Sequence, residues 1–424
     1  MTRVSESKFS TTEDIVCVMG LGYIGLPTAA FIAKSGYKVV GVDINPDYVS
    51  CINDGRVPFF EPDFDELLKT TVAEGSLTAS TTPVEAAVFI IAVPTPFAKG
   101  HHVDDRYIMA AADSVASCLK GNELVILEST SPPGMTERLA ERVLEKRPDL
   151  TLQPGASNSI YFAHCPERVL PGKIMEEMVT NDRVVGGLNP EAGKRAETLY
   201  SRFCEGSILL TDAVTAEMAK LTENSFRDVN IAFANELSII CEKIGVDVWE
   251  LIELANHHPR VSILNPGPGV GGHCIAVDPW FIVSSAPEEA RLIRTAREIN
   301  DAKPDFVVDS VVGSVQKLGE HSPVALLGLA FKADIDDLRE SPALSICEKL
   351  GQRIPRREIL VVEPHIERLP GSLENLPNVA LVSMEEAVEL ADTIVLLVDH
   401  TKFKSLTLKQ LEGKEIIDTR GLLR

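Results

Sequence analysis

Short apolar runs alternate with segments of helical periodicity through most of the chain. From Ile15 a strand pattern leads into Gly20-Leu21-Gly22-Tyr23-Ile24-Gly25 and then a helical stretch at 26–35. A second strand at 38–42 ends at Asp43, and further strand candidates lie at 87–92, 124–128 and 160–164. Strands separated by helical segments predict an α/β fold, a mostly parallel sheet with helices on both faces.

The middle reads differently. Residues 215–244 carry long helical periodicity, which resumes at 246–255 beyond Gly245. Ala219, Leu221, Phe226, Ile231, Phe233, Ala234 and Leu237 give this helix more than one apolar face. One face suits its own domain and another a partner subunit. Residues 287–314 read as a helical connector. A second α/β unit opens at 324–331, with strand candidates at 359–362, 380–382 and 393–398. Its first turn, Gly328-Leu329-Ala330-Phe331-Lys332, lacks three-glycine spacing. This half is therefore expected to be Rossmann-like without a dinucleotide site of its own. The expected organisation is a flexible tail at 1–14, a Rossmann domain at 15–210, a central helical region at 211–315 and a C-terminal α/β domain at 316–424.

Composition narrows the picture. A chain of 424 residues has room for two or three domains. Its net charge of −21 argues against nucleic acid or an anionic membrane as partner. Eight cysteines are scattered without a CxxC pair, which predicts neither a zinc site nor a disulfide framework, and no metal is expected. Reduced thiols fit a cytoplasmic protein. The polar first 14 residues do not read as a signal peptide, and no apolar run is long enough to span a bilayer.

The chemistry starts at the first turn. Gly20, Gly22 and Gly25 form G-x-G-x-x-G between a strand and a helix, with Tyr23 and Ile24 inside the motif. The glycines allow the tight turn, close approach of a pyrophosphate, and helix–strand packing. The helix N-terminus then offers N–H groups and a positive dipole end. Asp43 at the end of the next strand can take both ribose hydroxyls and repels a 2′-phosphate, favouring NAD over NADP. Pro94 and Thr95 follow a later strand, where they either wall the cofactor or make a rigid turn.

The candidate reactive group is Cys274, on a glycine-rich loop that includes Gly271, with Asp278 four residues on. A thiol on such a loop is accessible, unlike a buried structural cysteine. A carboxylate alone would raise a thiol pKa, so a cation is expected beside it. Lys220 and Asn224, four apart on one helix, could stabilise an alkoxide or simply form a solvated face. Glu167 follows a strand end and could act as general base, or pair with Arg168 in a loop. Thr130 could bind a substrate or a water, or cap the next helix. His258 and Arg260 could bind phosphate or an acyl group, and Lys332 and Arg339 could clamp a second pyrophosphate. An ordinary charged surface is the alternative for all four.

Eight colinear stretches together resemble the UDP-sugar 6-dehydrogenases across nearly the whole chain. They are GLGYIGLPTAA from Gly20, VPTPF from Val93, ESTSPPG from Glu128, CPERVLPG from Cys165 and KLTENSFRDVNIAFANE from Lys220. HPRV from His258, GPGVGGHCIAVDPWF from Gly267 and GLAFKADIDDLRESPA from Gly328 complete the set. The likeness is greatest to the branch acting on UDP-N-acetyl-D-mannosamine.

The resemblance implies two Rossmann-like domains joined by a central helical dimerisation region, the first binding NAD and the last UDP. It implies a homodimer and a four-electron oxidation of a sugar C6 alcohol to a carboxylate with two NAD⁺. On the family's motif, Cys274 forms a thiohemiacetal and then a thioester. Lys220 and Asp278 match the groups that stabilise oxyanions and organise water. Asn224 matches a substrate and oxyanion contact, and Thr130 and Glu167 match the hydrolytic-water side. Arg168, Val169, His258, Arg260, Gly271, Lys332 and Arg339 fall in the substrate-binding stretches. His273 and the run Asn265-Pro266-Gly267-Pro268 depart from the glucose-specific relatives and favour a UDP-N-acetylhexosamine. UDP-N-acetylglucosamine or UDP-glucose is the alternative substrate. A one-step hydroxyacid dehydrogenase and a non-catalytic NAD sensor are the rival classes.

Overall fold

The computed structural model describes residues 15–96, 103–170, 172–272, 274–319 and 321–423. The expected tail at 1–14, and His273, lie outside the described residues. Two compact units divide the chain between Thr222 and Glu223.

The first unit opens with β1 (Ile15–Met19), α1 (Gly25–Lys34), β2 (Lys38–Val42), α2 (Pro46–Asn53), α3 (Phe64–Ala73) and β3 (Leu77–Ser80). It continues through β4 (Val88–Ile91), α4 (Arg106–Ala116), β5 (Leu124–Leu127), α5 (Met135–Lys146) and β6 (Tyr161–His164). Then come α6 (Ile174–Thr180), β7 (Arg183–Gly187), α7 (Pro190–Tyr200) and β8 (Ile208–Asp212). The strands form one sheet in the order β3-β2-β1-β4-β5-β6-β7-β8. Every neighbouring pair is parallel except β6 and β7. Side chains alternate between two apolar layers: Val16 and Val18 enter one, Cys17 and Met19 the other.

Three of these strands escaped the apolar pattern. β3 is half polar, β7 carries two glycines, and β8 is an edge strand whose Leu209 and Leu210 are exposed. Glycine and polar residues weaken strand propensity, so pairing rather than local preference makes these strands.

The helix α8 (Ala213–Ile244) starts in the first unit and carries on into the second. The second unit adds α9 (Val248–Asn256), α10 (Asp278–Ser285) and α11 (Arg291–Val315). Its sheet is built from β9 (Val324–Leu327), β10 (Ile359–Val362), β11 (Val379–Leu381), β12 (Thr393–Leu396) and β13 (Glu415–Asp418). The helices α12 (Pro342–Arg353), α13 (Gly371–Glu374) and α14 (Met384–Leu390) lie between those strands in the chain. The sheet order is β11-β10-β9-β12-β13, all parallel. Val324 and Leu326 face one apolar layer, Ala325 and Leu327 the other. The short α10, directly after the glycine loop, was not expected from the sequence.

A cavity of about 330 Å³ in this unit is lined by Ser238, Trp249, Lys303, Phe306 and Asp418, among others. Lys303 is buried, donates to Ser238 Oγ at 2.6 Å and lies 4.5 Å from the Phe306 ring. Burial pushes its amine down to about 8, the charge of Glu242 opposing. Between about 8 and 10.5 the unfolded chain binds more protons at this site, so native stability rises with pH there. The cost of burying the ammonium is complete below that window. Lys303→Met is therefore expected to stabilise the protein at pH 7 by on the order of 1–3 kcal/mol. Denaturant titrations of both proteins across pH check this, and the gain must shrink as pH rises through the window.

Candidate active site

The turn after β1 needs its glycines for different reasons. Gly20 has φ +92°, and an added Cβ would meet Ala92 O at 2.4 Å. A Cβ on Gly25 would meet Gly20 O at 1.9 Å, so α1 can seat here only without a side chain. Around Gly22 the same position is open, a cradle that a ligand can approach. No side chain caps α1 at Ile24, and its first turn holds no acid, which leaves the helix end suited to phosphate. Asp43 accepts from the Leu21 N–H at 3.0 Å and the Asn45 N–H at 2.9 Å, so its carboxylate is oriented beside the turn. The residues present fit a dinucleotide. Tyr23 is exposed and stacks on Phe59 with centroids 4.3 Å apart. Pro94 and Thr95 follow β4, where Ser129 Oγ donates to Val93 O at 2.7 Å.

The C-terminal unit repeats this arrangement with a different outcome. Glu363 ends β10 and accepts from the Leu329 and Ala330 N–H groups at 2.7 and 3.0 Å. It is buried and paired with His400 Nε2 at 3.0 Å. Burial pushes this carboxyl up, but the hydrogen bonds from His400 and the two N–H groups outweigh it and hold it low. An acid so enclosed is spent on the turn. Asp334, His365 and His400 bring possible ligand atoms within 4.8 Å of one another. His400 Nδ1 already accepts from the Asp334 N–H at 2.9 Å, so the group reads as a structural cluster.

Thr130 follows β5 and is half-buried. It does not cap α5, whose N-cap is Gly134. Glu217 of α8 does that work, accepting from the N–H groups of Gly134 at 2.6 Å and Thr136 at 2.7 Å. Burial pushes the Glu217 carboxyl up, and these donors pull against it.

Glu167 is buried beyond the end of β6, and its ion-pair partner is Arg183 at 3.2 Å rather than Arg168. Arg168 contributes its backbone N–H to Glu167 Oε1 at 2.7 Å, while its guanidinium donates to Asp182 O at 3.0 Å. Val169 packs half-buried against the core. Lys220 is half-buried on α8.

In the second unit, Asn224 Nδ2 donates to Asp278 Oδ2 at 2.5 Å, and both residues are buried. The sequence paired Asn224 with Lys220, and its partner in the structure is a carboxylate 54 positions away. Cys274 is exposed; its carbonyl accepts from the Val277 and Asp278 N–H groups at 3.0 and 2.8 Å, leading the chain into α10. Gly271 lies under the loop before α12: an added Cβ would meet Glu340 O at 2.5 Å and Pro342 Cδ at 2.7 Å. Packing alone thus requires this glycine. His258, Arg260, Lys332 and Arg339 are exposed, and Arg339 pairs with Asp337 at 2.7 Å.

Sequence reasoning missed what holds the cysteine loop. Arg297, fully buried on α11, donates to Asp228 at 2.6 Å and reaches Ile275 O at 3.5 Å. Asn300 bridges Asp228 and Asn235 at 2.8 Å each, and Asn235 accepts from the Gly267 N–H at 2.8 Å. One polar network thus touches the loop on both sides of Cys274. Its helix-to-helix bonds join residues 65 to 72 positions apart, and no local spacing reveals them.

The fold and the glycine turn define a dinucleotide-binding α/β protein with a second unit of related topology. Three descriptions of one family match the chain in order. The UDP-glucose/GDP-mannose dehydrogenase family NAD binding domain covers 14–204, the central domain 214–302 and the UDP binding domain 325–424. The chain belongs to the UDP-glucose/GDP-mannose dehydrogenase family and is an NAD-dependent UDP-sugar dehydrogenase. It is 54% identical over 424 residues to the NDP-N-acetyl-D-galactosaminuronic acid dehydrogenase of Ralstonia nicotianae, covering 100% of this chain and 98% of the relative. It is also 54% identical over 418 residues to the UDP-N-acetyl-D-mannosamine dehydrogenase of Escherichia coli K12, covering 96% and 99%. The solved UDP-D-ManNAc dehydrogenase of Pyrococcus horikoshii matches with a TM-score of 0.85 at 40% identity, covering 97% and 96%. Among the described residues no helix is long and apolar enough to cross a membrane.

Proposed function

We propose that this protein oxidises the C6 alcohol of UDP-N-acetyl-D-mannosamine to the carboxylate, using two NAD⁺. The observation that carries the sugar assignment is the 54% identity to the E. coli enzyme over nearly all of both chains, joined by the P. horikoshii structure. The equal identity to the R. nicotianae enzyme supports a second reading, a galacto-configured N-acetylhexosamine.

Bound NAD⁺ supplies hydride acceptance from C6. Gly20, Gly22, Tyr23, Ile24 and Gly25 would hold its pyrophosphate, Asp43 its ribose, and Pro94, Thr95 and Thr130 would line its path. After the first oxidation, the Cys274 thiol adds to the C6 aldehyde, forming an S–C bond and placing the proton on oxygen. Loss of the second hydride to NAD⁺ and of the hydroxyl proton to a base would leave a thioester. Water then attacks its carbonyl carbon, the C–S bond breaks, and the acid and the Cys274 thiol are released. A covalently held aldehyde cannot escape between the two oxidations. Lys220 and Asn224 would stabilise the oxyanions. Asp278, fixed by Asn224, would orient water, with Thr130 and Glu167 on the hydrolytic side. Arg168, Val169, His258, Arg260, Gly271, Lys332 and Arg339 would contact the UDP-sugar. Eight scattered cysteines without a CxxC pair support a reducing cytoplasm as its compartment, which cell fractionation checks.

Phe226, Phe233 and Ile240 of α8 are exposed at seven-residue spacing, which supports a homodimer through this helix. Phe226→Glu with Phe233→Glu is expected to elute as a monomer in light-scattering chromatography; an unchanged dimer would remove α8 from the interface.

The test of function is NADH yield from limiting UDP-N-acetylmannosamine, its galacto and gluco epimers, and UDP-glucose. Two NADH per UDP-N-acetylmannosamine, with the others at background, is expected. Two from another sugar would move the specificity, and one per sugar would sink the thioester scheme.

A further inference from the structure

We propose that Arg183 is the positioning residue of Glu167, fixing the carboxylate that directs water at the thioester. The proposal rests on the hydrolytic role given to Glu167 above. Its basis is a single reversal in the first sheet. Strands of a parallel sheet deliver their C-terminal ends to the edge where ligands bind, and their first residues to the opposite edge. β7 runs antiparallel to β6, with Ala163 opposite Gly187 and His164 opposite Gly186. Its first residue, Arg183, therefore lies beyond the C-terminal end of β6, where the chain turns out to Glu167.

The guanidinium is held on several sides. It donates to Glu167 Oε2 at 3.2 Å and Met178 O at 3.3 Å, and approaches Cys165 Sγ at 3.8 Å. The Tyr200 and Phe203 rings lie 4.8 and 5.3 Å from its carbon. Tyr200 is anchored in turn, donating to Glu128 at 2.6 Å, and Thr28 of α1 donates to the same carboxylate at 3.2 Å. With Arg183 on one oxygen and the Arg168 N–H on the other, the plane of the Glu167 carboxylate is set.

Burying an arginine is costly, and hydrophobic residues of similar volume usually serve a core as well. Burial also pushes the Glu128 carboxyl up to about 7, and the charge of Glu167 adds to that rise while Arg183 opposes it. The cation thus stands between two carboxylates, and only Glu167 touches it.

Stopped-flow NADH formation with saturating NAD⁺ and UDP-N-acetylhexosamine tests this, with mass spectrometry of quenched enzyme. Arg183→Met is expected to form both NADH equivalents rapidly, accumulate the sugar thioester on Cys274, and then turn over about 10²-fold more slowly, with KM falling in step so that kcat/KM is unchanged. Arg183→Lys is expected to recover part of the rate, and Glu167→Gln to stall at the same adduct. If Glu167→Gln stalls but neither Arg183 variant accumulates adduct, the positioning role is overturned. If Glu167→Gln itself does not stall, the reading of Glu167 fails and the proposal with it. Should Arg183→Met not fold, Arg183→Lys decides: adduct supports the role, and its absence overturns it.

Discussion

Cys274→Ala is expected to lower conversion of UDP-sugar to the acid by at least about 10³-fold, some 4 kcal/mol of barrier. The thiol sits exposed on a loop whose glycines are demanded by packing, and its carbonyl starts the turn into α10. Replacing the side chain with a methyl leaves that backbone untouched, so the variant should fold and bind NAD as the parent does. On the proposed scheme it loses the bond that retains the aldehyde and presents it for the second oxidation. The product mixture is therefore as informative as the rate. Any NADH formed should accompany aldehyde, and no acid should appear by chromatography. Full turnover to acid by Cys274→Ala would overturn the thioester scheme.

Arg297→Met should destabilise the second unit by about 3–5 kcal/mol, the cost of leaving a buried charge unpaired. Asp228 has no exposure and depends on Arg297 and Asn300 for its hydrogen bonds. Burial already pushes its carboxyl up, against the pull of Arg297. Calorimetry or denaturant titration reads the loss. A double variant, Arg297→Met with Asp228→Leu, should recover much of it, because an apolar pair of similar volume carries no desolvation cost. A loss below about 1 kcal/mol in the single variant would mean the pair is solvated in practice. Because the same network holds Gly267 and reaches Ile275, the single variant should also slow turnover through the cysteine loop.

Much of the fold was legible because its signals are local. β1, β2, β4, β5, β6, β9, β10 and β12 are apolar runs of four or five residues, and α8 announces itself over 32 residues. β7 and β8 were not legible. RVVGG reads as a glycine turn and ILLTD as a short apolar stretch, and only their mutual pairing makes them strands. The same division runs through the candidate site. Gly20, Gly22, Gly25 and Asp43 stand at fixed offsets around one strand–turn–helix, so spacing exposes them. Glu167 stood out by its place after a strand, with an ion pair to the adjacent Arg168 as the alternative to a catalytic role. The true partner, Arg183, arrives by an antiparallel reversal that no periodicity encodes. Thr130 offered itself as a helix cap on position alone. Glu217, which fills that role from α8, is more than 80 positions away.

The sequence by itself determined the class of protein, through a nucleotide turn with its acid and the order of the motifs, and it offered a candidate thiol among glycines. These depend on backbone freedom and side-chain type within a few residues, which spacing records. The tertiary structure alone decided which buried charges neutralise one another, Glu167 with Arg183 and Asp228 with Arg297, and which amide hydrogen-bonds the buried Asp278, that of Asn224. A charge removed from water must find a complement in space, and chain folding brings that complement from any distance along the sequence.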